Sequence, residues 1–316
     1  MDRATMTLRF LAAPTDAGYP GHVSAGRVLE WIDKAGYACA VAWSGSYSVT
    51  AYVGNVSFTR PVQVGDIVEA TARIVQTGRS SMNILVTVRS GTIASTPLNQ
   101  STECLMIFVA TDANGRPTPV PTWTAGTEED HQRQTAALQL KRVRSDVEEA
   151  MATQRYTDAG SAPRIVLRFL AAPTDINLGG KVHGGIVMRW IDEAAHALVT
   201  RWTGNPRNVA VYAGGVRFYR PLLIGHLVEV EARLLHTGAT SMHISVHVRS
   251  GELSTGKLEL TTHCLIIFVA LDAENRPVET PSWVPLTEED KALDRHARDL
   301  IRLRKPLATP AEELSS

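Results

Sequence analysis

From Gly185 onward, Ile186, Val187, Trp190, Ile191, Ala194, Ala195, Leu198, Val199 and Trp202 recur at three- and four-residue spacing. That is the broad apolar stripe of a helix buried over most of its surface. Further along, Met242, Ile244, Val246 and Val248 alternate with His243, Ser245, His247 and Arg249. This period of two predicts a half-exposed strand. Met82, Ile84, Val86 and Val88 against Asn83, Leu85, Thr87 and Arg89 predict the same strand a second time. Residues 56–58, 67–75 and 105–110 read as further strands, with Gly65-Asp66 and Asn114-Gly115 as turns. One buried helix accompanied by several antiparallel strands predicts an α+β fold in which a sheet wraps the helix.

The chain contains this pattern twice. Residues 8–16 and 167–175 are identical, and Trp31-Ile32-Asp33 returns as Trp190-Ile191-Asp192. Phe58-Thr59-Arg60-Pro61 returns as Phe218-Tyr219-Arg220-Pro221, and Thr77-Gly78-Arg79-Ser80-Ser81-Met82 as Thr237-Gly238-Ala239-Thr240-Ser241-Met242. Thr127-Glu128-Glu129-Asp130 returns as Thr287-Glu288-Glu289-Asp290. A unit of about 120 residues repeated once is too long and too few for a solenoid. The expected division is one domain over residues 1–125, a helical linker over 126–163, a second domain over 164–286, and a helix and tail over 287–316. The linker is read as a charged helix from Thr127 to about Arg155 with a loose end, and the tail beyond Pro310 as disordered.

Composition narrows the partners. The 32 basic residues balance the 32 acidic ones, so no net field draws the protein to nucleic acid or to an anionic membrane. An anionic ligand needs local groups. Cys39, Cys104 and Cys264 are widely spaced and odd in number, which gives neither a zinc pattern nor a disulfide framework and predicts a reducing, cytoplasmic setting. With no signal-like start and no apolar run near 20 residues, neither secretion nor a membrane span is expected.

Two features carry candidate chemistry. The second copy opens its helix with Asn177-Leu178-Gly179-Gly180-Lys181-Val182-His183-Gly184-Gly185. Glycines let backbone approach a ligand, and amides at a helix start suit a developing oxyanion. The competing reading is a tight turn before a buried helix, with His183 as a capping residue. Asp33 and Asp192 each lie beside Trp-Ile on a largely apolar helix, where desolvation raises basicity and suits a general base. The competing reading is a carboxylate at the border of the stripe, facing water. Asp192 lies eight residues beyond Gly184, about 12 Å along the helix, too far to serve a carbonyl held at the start of its own helix. If the copies pack about a pseudo-twofold axis, Asp33 serves the site at Asn177, His183 and Gly185. The reciprocal site pairs Asp192 with Gly18, Ser24, Ala25 and Gly26, where the Asn and His are replaced.

The His-Gly-Gly helix start, the Asp of Trp-Ile-Asp-Glu-Ala-Ala, the Phe-x-Arg-Pro segment and Thr-Gly-x-[Ser/Thr]-Ser-Met, in this order and twice over, resemble hotdog-fold acyl-CoA thioesterases. In particular they resemble the tandem double-hotdog acyl-CoA hydrolases, including the brain cytosolic type. The resemblance implies two hotdog domains side by side, acyl-CoA bound between them, and hydrolysis with no metal and no organic cofactor. It also implies one catalytic Asn and one catalytic Asp from different halves, matching Asn177 and Asp33. The Asp is then general base or nucleophile, and the Asn positions water or carbonyl. Family members assemble into rings, so a homo-oligomer, a trimer of this chain, is expected.

The expected reaction is thioester hydrolysis. The Gly185 amide, with Gly184 and support from His183, faces the oxyanion while Asp33 activates water held by Asn177. Coenzyme A leaves as a thiolate of pKa about 8.5 and needs little acid assistance. Arg79, with Ser80 and Ser81, is the candidate for the nucleotide phosphates, against the reading of a solvated surface arginine. The Asp192, Gly18 and Ser24 side is expected to be degenerate. Two rivals stand: a non-catalytic acyl-CoA binding or sensing protein, and an enoyl-CoA hydratase or dehydratase on the same fold, which would want a His with an Asp or Glu.

Overall fold

The computed structural model describes residues 3–19, 21–94 and 97–304. The first half runs β1 (Thr5–Leu11), α1 (Ala25–Ser44), β2 (Ser48–Val53), β3 (Val56–Ser57), β4 (Ile67–Thr77), β5 (Ser81–Gly91) and β6 (Asn99–Ala110). The helix α2 (Glu128–Ala152) leads to the second half, β7 (Arg164–Leu170), α3 (Gly184–Thr203), β8 (Asn208–Phe218), β9 (Leu227–Thr237), β10 (Ser241–Gly251) and β11 (Glu259–Ala270), closed by α4 (Glu288–Arg304). The expected disorder beyond Pro310 lies outside the described residues.

The identical segments 8–16 and 167–175 end the strands β1 and β7 and continue into one-turn 3-10 helices, Pro14–Asp16 and Pro173–Asp175. Both strands are the outer edges of one antiparallel sheet of order β1-β4-β5-β6-β2-β8-β11-β10-β9-β7, with β3 also paired to β8. The two halves therefore share more than a packing face. Their sheets join where Tyr52 and Val53 pair with Arg217 and Val216, and the strand order mirrors itself about that join.

Each central helix is buried in the curve of its own half-sheet. Ile32, Ala35, Cys39 and Ala40 of α1 lie in one core with Met82, Ile84, Val86 and Val88 of β5, all 0% exposed. Met188, Ile191, Ala194 and Leu198 of α3 pack in the same way with Val228 and Val230 of β9 and Ile244 and Val246 of β10. The Trp-Ile-Asp repeat is partly a packing motif: Trp31 stacks on Phe10 at 5.4 Å, and Trp190 meets Phe169 edge-on at 4.8 Å. The Thr-Glu-Glu-Asp repeat is a helix start, in which Thr127 Oγ1 accepts from the Asp130 amide and the Asp130 carboxylate accepts from the Thr127 amide. Thr287 and Asp290 do the same for α4.

The half-exposed strand predicted for residues 242–249 is corrected. His243, Ser245 and His247 are buried along with the apolar face, because α4 lies on the outer side of the second half-sheet. Leu293, Ala297 and Leu300 of α4 pack there with Leu235, Leu265 and Ile267, joined by Val147 and Met151 of α2. Beneath this cover, His247 and His263 stack at 4.1 Å, Tyr156 closes edge-on over both, and Ser245 Oγ lies 2.9 Å from His263 Nε2. Burial, then Arg249 and Arg233, push the His247 imidazole down to about 3. Burial, then His247, His296 and Arg249, hold His263 well below its ordinary value.

Histidines depressed on folding take up protons first in the unfolded chain. Stability therefore falls as pH drops below the unfolded value near 6.5, by about 1.4 kcal/mol per pH unit for each such histidine. Thermal unfolding between pH 7 and pH 5 should show a Tm that falls with pH, and His247→Gln/His263→Gln should flatten that dependence. Equal slopes in the two proteins would contradict the assignment.

Candidate active site

The helices α1 and α3 cross at a spacing that only glycine permits. A Cβ added at Gly185 would stand 2.7 Å from Glu30 Cα, and one added at Gly26 would stand 2.8 Å from Arg189 Cα and 2.9 Å from Asp192 Cβ. Real Cβ contacts are not that short, and here the obstacle is backbone. Because the helices approach so closely, the aspartate in the body of each reaches the start of the other. The Gly185 amide donates to Asp33 Oδ2 at 2.9 Å, and the Gly26 amide donates to Asp192 Oδ2 at 3.0 Å. Each carboxylate meets the positive end of the facing helix. Glu30, buried at the same crossing, accepts from Arg27 at 2.6 Å and Lys34 at 2.7 Å and lies 3.7 Å from Arg189 of the facing helix. Burial would raise its carboxyl, but Lys34, Arg27 and Arg189 together hold it below the ordinary value.

On the Asp33 side the polar groups converge. Thr50 Oγ1 on β2 donates to Asp33 Oδ1 at 2.7 Å, and His183 Nδ1 lies 3.0 Å from Asp33 Oδ2. His183 is the N-cap of α3, and its Nδ1 is also 3.1 Å from the Gly185 amide. A proton on Nδ1 makes the carboxylate the shared acceptor of both groups. Burial pulls the His183 imidazole down, but the hydrogen bond and charge of Asp33 outweigh it and leave the pKa above the ordinary value.

Asn177 heads the turn before the helix. Its Oδ1 accepts from the amides of Gly179 at 2.8 Å and Lys181 at 3.1 Å and from the Tyr47 hydroxyl at 3.3 Å. Its Nδ2 donates to the Val182 carbonyl at 3.4 Å with one hydrogen, and the other has no partner among the described residues. These groups line a cleft of 590 Å³ with Tyr37, Val187, Phe218 and Leu222, and with Lys181 and Arg220 as its cations.

The Gly185 amide, expected to face an oxyanion, is instead engaged by Asp33. At the start of α3 the amide without a hydrogen-bond partner among the described residues is that of Gly184, which lines the cleft.

The Asp192 side keeps the carboxylate and loses its company. Ala210 occupies the register position of Thr50, each pairing with the corresponding Phe of its half-sheet. Ser24, the counterpart of His183, spends its hydroxyl on the Arg27 amide at 3.2 Å as the N-cap of α1. Gly18 closes the same turn as Asn177, donating to the His22 carbonyl at 2.7 Å, and has no side chain to offer. Burial lifts the Asp192 carboxyl to about 7 against the opposing hydrogen bond from Gly26, with Glu193 adding to the rise. Tyr19 stacks on His196 at 5.0 Å beside this turn.

Arg79 is exposed on the β4–β5 turn, Ser80 and Ser81 beside it are half-buried, and none of the three is among the residues lining the cleft. The repeated Thr-Gly segment there has a structural use. Thr77 Oγ1 accepts from the Trp123 amide at 2.9 Å, and Thr237 Oγ1 from the Trp283 amide at 3.0 Å. Sequence reasoning missed Thr50 and Tyr47. The available signal was divergence between the copies, which place Ala210 and Arg207 at those positions. Among the described residues no three His, Cys, Asp or Glu side chains gather to hold a metal ion, and no helix is long and apolar enough to cross a membrane.

Two long helices, each wrapped by an antiparallel half-sheet and packed on one another inside a continuous sheet, define a tandem pair of hotdog domains. The thioesterase superfamily model matches residues 20–96 and again residues 179–257, one match in each half. The chain is 23% identical over 305 residues to the cytosolic acyl coenzyme A thioester hydrolase of Mus musculus, covering 90% of this chain and 79% of that one. It is 37% identical over 119 residues to the acyl-CoA thioester hydrolase YciA of Salmonella typhimurium, covering 37% of this chain and 90% of the relative. A solved Lactobacillus plantarum structure, provisionally named an oleoyl thioesterase, matches in fold with a TM-score of 0.60 at 12% identity, over 86% of this chain and 98% of that one. The chain belongs to the thioesterase superfamily.

The close crossing makes Gly26→Ala and Gly185→Ala destabilising. An alanine gains up to about 1 kcal/mol of helix propensity, but a methyl forced against backbone costs about 1–3 kcal/mol. Chemical denaturation should show a net loss of roughly 1–2 kcal/mol for each variant. Unchanged stability would contradict the geometry.

Proposed function

We propose that the protein hydrolyses acyl-CoA to a free acid and coenzyme A at one working site between its halves. The observation that carries this reading is the Asp33 carboxylate of one half, held by the Gly185 amide and His183 of the other and lining one open cleft with Asn177 and Gly184. Thr50, Gly185 and His183 fix the carboxylate from three directions, so it enters the reaction already oriented. A water between Asp33 and the free Asn177 Nδ2 hydrogen gives up a proton to Asp33 as its oxygen attacks the thioester carbonyl. The carbonyl oxygen gains charge facing the Gly184 amide and the positive end of α3. The carbon–sulfur bond then breaks, and the leaving thiolate, of pKa about 8.5, needs little protonation to depart.

This reading sets fatty acyl chains against the apolar wall of Tyr37, Val187, Phe218 and Leu222, and the nucleotide phosphates near Lys181 and near Arg220, whose guanidinium also pairs with Glu259. The Asp192 side, lacking the hydroxyl, carboxamide and imidazole, is the degenerate one. The name of the mouse relative supports a cytosolic setting. A trimer of this chain, six hotdog domains in a ring, is the assembly we propose.

One observation favours a second reading, hydration of an enoyl thioester: His183 and Asp33 form the kind of acid–base pair such chemistry uses. Water addition to a crotonyl thioester, followed by loss of enoyl absorbance without thiol release, would support it. Family membership weighs toward hydrolysis.

Release of free thiol from acyl-CoA is the direct test. Asp33→Ala and Asn177→Ala should each lose about 10²–10⁴-fold in kcat, the range for removal of a general base or its positioned water. Asp192→Ala should retain most activity per folded molecule. Full turnover without Asp33, or loss confined to Asp192→Ala, would overturn the proposal.

A further inference from the structure

We infer that Tyr47 is a positioning residue for hydrolysis, registering the Asn177 turn of the second half against the Asp33 carboxylate of the first; this rests on the site reading above. The turn from Asn177 to Lys181 is built on its own half: Asn177 donates to the Lys181 carbonyl at 2.7 Å, and its flanks bridge from Ile176 to Val182 and from Lys181 to Leu223. Asp33 and Thr50 belong to the other half. Among the described residues, the hydrogen bond from the Tyr47 hydroxyl to Asn177 Oδ1, at 3.3 Å, is the side-chain tie between that turn and the first half.

Packing supports the hydroxyl. A Cβ added at Gly179 would fall 2.2 Å from Tyr47 Cζ and 2.3 Å from its oxygen, so the phenol ring lies directly on the turn and glycine is needed beneath it. Gly179 requires no left-handed backbone, unlike Gly180 with φ 76°. Its absent side chain therefore serves the approach of Tyr47. Tyr37 packs edge-on against the same ring at 6.2 Å. Burial, with Tyr37 and Asp33 nearby, raises the phenol pKa further above neutrality, so the hydroxyl keeps its proton and donates.

The duplication provides an internal comparison. The degenerate side lacks both members of the contact, with Gly18 where Asn177 stands and Arg207 where Tyr47 stands. The two backbone amides already orient the Asn177 carboxamide within its turn. Tyr47 adds the position of that turn relative to Asp33, and so the gap in which the attacking water sits. A tie of this kind acts on the rate of the chemical step more than on ground-state binding.

The test is Tyr47→Phe, which keeps the ring on Gly179 and removes the tie, assayed by thiol release and in single turnover with enzyme in excess. One neutral hydrogen bond predicts a fall in kcat of about three- to tenfold, with KM and Tm close to those of the wild type. In the Asn177→Ala background the same change should have no further effect, because the group it positions is gone. Wild-type kcat in Tyr47→Phe, a loss expressed in KM alone, or an equal loss with and without Asn177 would overturn the role of Tyr47. Full activity in Asn177→Ala would overturn the site reading, and this role with it. An inactive Asn177→Ala beside a fully active Tyr47→Phe would overturn this role only.

Discussion

The site depends on the close crossing of α1 and α3, which Gly26 and Gly185 make possible. Without side chains at the second residue of each helix, the helices approach until an aspartate on one reaches the amide at the start of the other, at 2.9 Å for Asp33 and 3.0 Å for Asp192. Within one helix that aspartate is two turns from the helix start. The candidate site therefore takes its groups from both halves. The sheet join at Tyr52–Val53 and the buried Glu30, shared by Arg27 and Lys34 of its own helix and Arg189 of the facing one, hold the halves in this register.

The crossing is symmetric and the chemistry around it is not. Both aspartates are buried and both meet a helix start, so the scaffold alone does not choose between them. The surroundings do. Asp33 has Thr50, His183 and a turn headed by Asn177, whereas Asp192 has Ala210 opposite, a serine used as a helix cap, and a glycine in place of the asparagine. Burial raises the Asp192 carboxyl to about 7. The number and direction of donors distinguish the side that we propose as the catalytic one. The structural repeats, namely the Thr-Gly hairpin turns, the Thr-x-x-Asp caps and the tryptophans, persist in both halves because both folds need them.

Much of the fold was legible in the sequence because the duplication printed each pattern twice. The stripe from Ile186 to Trp202 gave α3, and the alternation at Met82 and Met242 gave β5 and β10. Helix rise alone was enough to show that Asp192 could not serve its own helix start, which left a cross-half pairing. The outer face of β10 was misread as exposed, since a period of two cannot tell water from a covering helix whose footprint is set by residues 50 positions later. The same limit hid Thr50 and Tyr47: each is distant in sequence from the aspartate or asparagine it touches, and neither lies in a repeated motif. The role expected of the Gly185 amide was misjudged because spacing gives the amide's position and not its partner, which is the Asp33 carboxylate itself.

The central claim is that the duplication yields one working site, formed by Asp33 and the Asn177 turn. A crystal structure with a non-hydrolysable ketone analogue of acyl-CoA, in which a methylene separates the sulfur from the carbonyl, addresses it most directly. The analogue should occupy the cleft between Asp33 and Asn177, its carbonyl oxygen at the Gly184 amide and its carbonyl carbon within reach of a water on Asp33. An analogue bound with its carbonyl at Asp192 and Gly26 would contradict the account.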